Sequence, residues 1–408
     1  MDIKITPKKL SGRVTAPPSK SVAHRLLICA ALAKGESVIK NISSSKDMQA
    51  TVSCLKALGA QIELKGDTAY INGIDKPSDK ATLDCFESGS TLRFLIPVAC
   101  ALGVRAEFAG SGRLPQRPIT PYLETLPSHG AEFDYDNTMP FTVSGRLTSG
   151  RYEIRGDVSS QFITGLLLAL PLCEGDSEIV ITTALESKPY IDITIGAMEQ
   201  FGVKVGQRDN TFIIKGGQSY KPQSLAVEGD HSQAAFFEVG NALGADIEIL
   251  GLNVNSYQGD KKIIEIIREI VYNSSDRLFP FEADVSDIPD LVPILAVLAS
   301  FCDGKSRIYN AGRLRIKECD RLSAMAQSLN ACGGKVTETP DELIIEGVGS
   351  LKGGEVPDFN DHRIPMAMSI AAMRSDAPVI IRGAQSVAKS YPDFWEVYKS
   401  LGGEFEEI

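Results

Sequence analysis

The chain has 408 residues, 43% of them hydrophobic and 23% charged, with a formal net charge of −10. That length favours two cores over one, and the balance of residues is that of a globular protein. The acidic excess, with no run of Lys or Arg, excludes a general nucleic-acid binder, so any anion site must be a local basic pocket in an acidic body.

No uncharged apolar run reaches the roughly 18 residues of a membrane span. The opening "MDIKITPKKL" has neither the apolar centre of a signal peptide nor the Arg/Ser-rich look of a transit peptide, so a cytoplasmic protein with no membrane contact is expected. Cysteines at 29, 54, 85, 100, 173, 302, 319 and 332 form no C-x-x-C pair, which predicts buried free thiols. The four histidines are far apart, and no metal site is expected.

In chain order, "DIKITP…GRVTAP" reads as a hairpin. "PPSKSVAHR" then opens the apolar helix "LLICAALA". This is the first of six copies of one pattern, a short polar loop running into an apolar helix. The others begin "SGSTLRFL", "SSQFITGL", "DHSQAAFF", "DIPDLVPI" and "DHRIPMAM". Markers Ser21, Ser90, Ser160, Ser232, Asp290 and His362 are spaced by 69, 70, 72, 58 and 72 residues. A second helix closing on glycine follows in most copies, as in "CLKALGAQIEL" and "MAQSLNACGGKV"; the fourth copy keeps a helix ("KIIEIIREIV") but loses the glycine. Such self-similarity marks a repeat architecture. Six α/β units are too many for one sheet layer, so three plus three is the economical split. A compositional break at "QSYKPQSLAVEGD" (218–230) places the crossover, and linkers near 11–18 and 222–228 would form a hinge. The N-terminal strand is expected to pair in the C-terminal domain.

The polar cluster before each apolar helix is the main functional signal. A helix N-terminus offers unpaired N–H groups and about half a positive charge, so it attracts anions. Lys20, Arg25, His362 and Arg363 are unfavourable there unless an anion lies among them. Loops "RLPQRP", "ESKPY", "RLRIKECDR" and "VAKSYPD" add Arg117, Lys188, Lys317, Arg321 and Lys389. So many cations imply a ligand with several negative charges. Two acids accompany them. Asp290 could be a helix N-cap or a base, and Glu318 an i,i+3 partner of Arg321 or a proton carrier.

"PPSKSVAHR", "SGSTLRF", "RLPQRP", "GDVSSQFITGLLLALP", "SKPYIDIT", "IKECDRLSAMA", "DHRIPMAM" and "AKSYPDF", in this order, resemble the signatures of the EPSP synthase family from about residue 3 to the C-terminus. The resemblance implies an α/β protein of two similar domains, each of three βαβαββ units, in an inside-out barrel arrangement joined by a two-stranded hinge. Residues 1–16 with 228–408 would form one domain and 17–227 the other, with the active site in the cleft between them. The implied reaction transfers the enolpyruvyl group of phosphoenolpyruvate to the 5-hydroxyl of shikimate 3-phosphate, without cofactor or metal. Glyphosate is implied at the phosphoenolpyruvate site, and the protein is expected to be a monomer.

By motif, Lys20, Ser21, Arg25, Ser159, Ser160, Gln161, Ser187, Tyr190, Asp290 and Lys317 would bind shikimate 3-phosphate. Lys20, Gly89, Arg117, Gln161, Arg321, His362, Arg363 and Lys389 would bind phosphoenolpyruvate. Asp290 would be the base for the hydroxyl, with Glu318 or Lys20 handling the carbon-bound proton. Two motifs depart from the pattern. The usual Gly-Asn-[Ala/Ser]-Gly-Thr reads Phe86-Glu87-Ser88-Gly89-Ser90, and an Asn before the Lys-Glu pair is Arg313. Two other classes remain to be weighed. The sister transferase acting on UDP-N-acetylglucosamine typically has Lys-Asn where this chain has Lys20-Ser21, and a cysteine in the loop that here reads "SGRLPQRP". A non-catalytic anion-binding repeat protein, or a relative of RNA 3′-phosphate cyclases, fits the repeats but not the retained acids or the net charge.

Overall fold

The computed structural model describes residues 1–271 and 277–408. The chain forms two compact units, Pro18–Glu228 and the pair of segments Met1–Pro17 with Gly229–Ile408.

The inserted unit contains three four-stranded sheets with one recurring pattern. In the second, Lys80–Asp84 pairs parallel with Arg105–Ala109, which pairs antiparallel with Phe141–Gly145, and that strand with Ala131–Asp134. The third sheet repeats this order with Arg151–Ile154, Ser177–Ile181, Thr211–Ile214 and Val205–Arg208. In the first, the outer parallel strand is Ser224–Ala226, from the far end of the unit, laid beside Glu36–Lys40. The crossover stretch therefore completes the first repeat as it leaves the unit.

The other unit closes itself in the same way. Ile3–Thr6 lies between Val379–Arg382 and Glu404–Glu407, antiparallel to both, and so supplies the missing strand of the last repeat. Ile3 and Ile5 are fully buried there. Glu282–Asp284, Lys305–Tyr309, Leu343–Glu346 and Lys335–Glu338 form a second sheet of the recurring type. The remaining repeat is reduced to Asp246–Leu250 parallel to Ser11–Thr15. This corrects the expected N-terminal hairpin, because the two opening strands belong to different sheets. The connection "PKKL" has no Gly or Asn to turn tightly, and Leu10 is instead buried, with its carbonyl accepting from Asp246 N at 3.0 Å. Residues 11–15, expected as a linker, are strand.

The repeated apolar helices form the core of each unit. Ser19, Ser88, Ser159 and Asp230 cap the helices Lys20–Leu32, Gly89–Leu102, Ser160–Ala169 and His231–Ala242, each accepting from a first-turn N–H. All eight residues of Val292–Ala299 are buried, which explains the near-absence of polar residues in that copy. Gly165 shows how tightly the helices pack. A Cβ there would lie 2.2 Å from the Tyr122 hydroxyl and 2.4 Å from Arg93 O, so only glycine allows the approach. All eight cysteines are free and buried. No described helix is long and apolar enough to cross a membrane.

Candidate active site

In the inserted unit the cations gather at the starts of the first two repeat helices. Lys20 opens its helix and its Nζ lies 2.9 Å from Asp47 Oδ2, on the second helix of the same repeat. Arg25, one turn further, is 2% exposed. Its Nε donates to Thr194 Oγ1 (2.7 Å), Nη1 to Ser21 O (2.7 Å), and Nη2 to Tyr190 O (2.9 Å) and Thr164 Oγ1 (3.4 Å). Of the five guanidinium N–H groups one remains outside these bonds. Arg25 thus fixes the Ser187–Tyr190 segment to the Ser21 turn, and burial lowers its pKa to about 10. Ser187 begins the Lys188–Gln200 helix in the left-handed region (φ 57°) and is 3% exposed, while Lys188 pairs with Asp192 at 2.6 Å.

Gln161 is held from both ends. Its Oε1 accepts from Arg93 Nη1 at 2.7 Å and its Nε2 donates to Ser90 Oγ at 2.9 Å. Ser159 is the cap of that helix, and Ser160 beside it is 5% exposed. Arg93 was not among the expected site residues. An arginine one turn inside an apolar helix reads as an interruption, and its partner Gln161 is 68 residues away. Arg117, 7% exposed, lays its guanidinium on Gly89, where a Cβ would come within 2.7 Å of Nη1. This is the physical need for glycine at the helix start.

Both departures from the family pattern have local accounts. Phe86 takes φ 53°, a conformation that suits the usual glycine and costs a bulky residue on the order of 1–3 kcal/mol. Its ring meets Lys46 Nζ at 5.3 Å. The Glu87 carboxylate lies against Gly112, in the loop leading to Arg117, since a Cβ on Gly112 would sit on Glu87 Oε2. Arg313, in the other unit, donates through Nη2 to Ser286 O.

In the unit carrying both termini, three helix starts converge on an ion-pair network. Asp290 Oδ1 accepts from Arg321 Nη1 and its Oδ2 from Arg363 Nη2, both at 2.8 Å. Arg321 Nη2 also reaches Glu318 Oε2 (2.8 Å), and its Nε reaches Asp361 Oδ2 (2.7 Å). Asp361, fully buried, accepts the Arg363 N–H at 2.9 Å. Lys389 Nζ donates to Asn360 O at 2.8 Å, and His362 is 2% exposed beside Asp361. Asp290 lies inside the Pro289–Leu291 turn, where Ile288 and Leu291 hold the two cap positions, so its N-cap reading gives way to a bridge between two arginines. The i,i+3 pairing of Glu318 with Arg321 is present.

Electrostatics follow from this packing. Burial alone would raise the Asp290 carboxyl, but Arg363, Arg321 and Lys317 hold it well below the usual carboxylate range. Asp361 is likewise kept below that range, chiefly by Arg321 and His362 working against burial. Burial pushes the Lys317 ammonium down to about 8. The expectation that cations at helix starts need a bound anion is therefore modified, because Asp47, Asp290 and Asp361 already pair with Lys20, Arg321 and Arg363.

Two units of repeated α/β sheets, with arginines and lysines at helix starts around a few carboxylates, define a protein built to take polyanionic ligands. The EPSP synthase (3-phosphoshikimate 1-carboxyvinyltransferase) family matches residues 5–398. Named 3-phosphoshikimate 1-carboxyvinyltransferases of Clostridium perfringens and Clostridium kluyveri are each 47% identical, over 98% and 99% of this chain and 98% of their own. An EPSP synthase structure from Acinetobacter baumannii superimposes with a TM-score of 0.83 at 27% identity, covering all of both chains. The chain belongs to the EPSP synthase family. Its reaction is enolpyruvyl transfer from phosphoenolpyruvate to shikimate 3-phosphate, a step of the shikimate pathway.

Proposed function

We propose that the two cradles work on one pair of substrates, with roles divided as the motifs suggest. Lys20, Ser21, Arg25, Ser159, Ser160, Gln161, Ser187, Tyr190 and Lys317 serve the shikimate 3-phosphate side. Gly89, Arg117, Arg321, His362, Arg363 and Lys389 serve phosphoenolpyruvate, with Lys20 and Gln161 reaching both. Arg93 joins this set because it orients Gln161. Glyphosate would compete at the phosphoenolpyruvate cations, and the protein would act as a cytoplasmic monomer.

The observation that carries the catalytic reading is the Asp290 bridge between Arg321 and Arg363. Held between two guanidiniums, the carboxylate is a weak base. When the charges of phosphoenolpyruvate engage the same arginines, they loosen their hold on Asp290 and its basicity rises. Asp290 then takes the proton of the 5-hydroxyl as the oxygen bonds to C2 of phosphoenolpyruvate and C3 gains a proton. Collapse of the tetrahedral adduct breaks the C2–O bond to phosphate and returns a methyl proton to the protein. Glu318, paired to Arg321, and Lys20, paired to Asp47, are the groups for the carbon-bound proton. Positioning and charge stabilisation supply the rest.

The test is phosphate release from phosphoenolpyruvate by purified protein. Release should require shikimate 3-phosphate and be absent with UDP-N-acetylglucosamine. Lys20→Met or Arg117→Ala should lower turnover by roughly 10²- to 10⁴-fold with an unchanged fold. Release with the nucleotide sugar, or wild-type turnover in either variant, contradicts the reading.

A further inference from the structure

A buried chain of side chains joins the first three helices of the inserted unit and ends at the Gly89 turn. His24 Nδ1 lies 2.8 Å from Thr51 Oγ1, and Thr51 Oγ1 lies 2.7 Å from Thr91 Oγ1. Thr91 Oγ1 donates to Ser88 Oγ at 2.8 Å, and Ser88 Oγ also caps the helix by accepting Thr91 N–H at 3.2 Å. All four residues are at most 1% exposed. We propose that His24 is a positioning residue for the phosphoenolpyruvate site, setting through Thr51 and Thr91 the direction of the hydrogen bonds that hold Ser88 ahead of Gly89. This rests on the reading that phosphoenolpyruvate binds beside Gly89 and Arg117.

Proton counting gives the direction. Each hydroxyl has one proton. Thr91 uses its own on Ser88, so the contact between the two threonines is donated by Thr51. Thr51 then has none left for the ring, and His24 must donate from Nδ1. The other acceptor open to Thr51, Asp47 O, is more distant at 3.1 Å. The ring nitrogen Nε2 is buried with no hydrogen-bond partner, so a second ring proton has nowhere to go. Burial, Lys20 and Arg25 also keep the ring neutral by lowering its pKa well below the ordinary value, and Phe94 packs edge-on at 6.3 Å. A neutral ring protonated on Nδ1 makes every bond run from His24 towards Ser88. Ser88 then accepts twice from Thr91, and its cap stays turned inward. The N–H groups ahead of that capped turn remain for an anion. Without the ring donor the chain can reverse, Ser88 becomes a donor to Thr91, and the turn loses its fixed geometry.

The experiment is steady-state kinetics on His24→Leu, His24→Asn and Thr51→Val, a near-isosteric change that guards against a misfolded His24→Leu. His24→Leu and Thr51→Val should each raise the phosphoenolpyruvate KM about tenfold, the value of one net hydrogen bond. The shikimate 3-phosphate KM should stay within about twofold. The double variant should be no worse than the poorer single one, since both break the same chain. His24→Asn keeps an N–H donor and should restore most of the loss. An unchanged phosphoenolpyruvate KM in both single variants, or equal rises for both substrates with additive losses, overturns the proposal. Arg117→Ala measured alongside separates the causes. A KM that responds to Arg117 but not His24 overturns the relay alone, and one that responds to neither overturns the site reading beneath it.

Discussion

Lys317 provides a pH test of the ion-pair network. It follows the Gly312–Ile316 turn and is half-buried, and burial lowers its pKa from 10.5 to about 8 despite the opposing carboxylates Asp290 and Glu318. Its charged form is lost as pH rises through that value, so an acceptor that needs the ammonium binds less well in alkali. One unit above the pKa only about a tenth of the molecules keep the charge, and kcat/KM for shikimate 3-phosphate should fall about tenfold per pH unit there. The remaining solvent contact of Lys317 sets this limb at 8 or slightly above. Lys317→Arg carries a charge that does not titrate in this range, so its profile should stay flat to roughly pH 9.5 even if its plateau is lower. Arg313 is one of the cations depressing Lys317. Removing a unit charge under surface-like screening is worth about 1 kcal/mol, so Arg313→Leu should move the limb up by somewhat less than one pH unit. The assay is phosphate release between pH 6 and 10 at subsaturating acceptor. An alkaline limb at the same pH in wild type and Lys317→Arg would refute the assignment.

Asp361→Ala removes a fully buried partner of Arg321 and should cost roughly 3–5 kcal/mol, read as a lower midpoint in urea unfolding. Gly89→Ala should push the Arg117 guanidinium away, raising the phosphoenolpyruvate KM while leaving the melting temperature nearly unchanged, because the group displaced is the end of a flexible side chain. Asp260, 3% exposed and bonded to Ser232, has its carboxyl pushed from 3.8 to about 7, first by burial and then by Asp290. The folded protein then keeps a proton that the unfolded chain releases between about pH 4 and 7. Stability should fall as pH rises through that window, by at most on the order of 4 kcal/mol, and level off above 7. Asp260→Asn should flatten this slope in urea melts at pH 5 and 7.5, whereas an unaltered slope would rule out Asp260 as its source.

The repeats were legible because the same physical need recurs at each one. A Ser or Asp cap and an apolar helix recur wherever a helix must start at a sheet edge and be buried, as at Ser19, Ser88, Ser159 and Asp230. Strand partners were harder to read. Ile3 and Ile5 announce a half-buried strand, but nothing local says that its neighbours are Val379–Arg382 and Glu404–Glu407. Ser11–Thr15 buries only Val14, so its place beside Asp246–Leu250 has almost no trace in hydrophobic pattern. The cations were visible as interruptions in apolar contexts, and their number pointed to a polyanion. Their internal partners were not visible, because Asp47 lies 27 residues from Lys20 and Asp361 lies 40 from Arg321. Arg93 was missed for the same reason.

Those internal carboxylates change how the cation-bearing helix starts should be understood. A cluster of unpaired guanidiniums at three N-termini would repel itself and each dipole, and would hold together only with ligand present. Asp290 and Asp361 remove that requirement by pinning Arg321 and Arg363 in place before any substrate arrives. The two acids differ in what they can do next. Asp361 is fully buried, whereas the Asp290 side chain is 20% exposed and shares both its oxygens with the arginines. Of these two, Asp290 is therefore the one that a substrate anion would displace without unmaking the fold. Under the proposed roles, the carboxylate that an incoming anion would displace is also the one that takes the hydroxyl proton, and binding and base activation would be one event. A base that strengthens only when phosphoenolpyruvate is seated would also spare the enzyme from acting on one substrate alone.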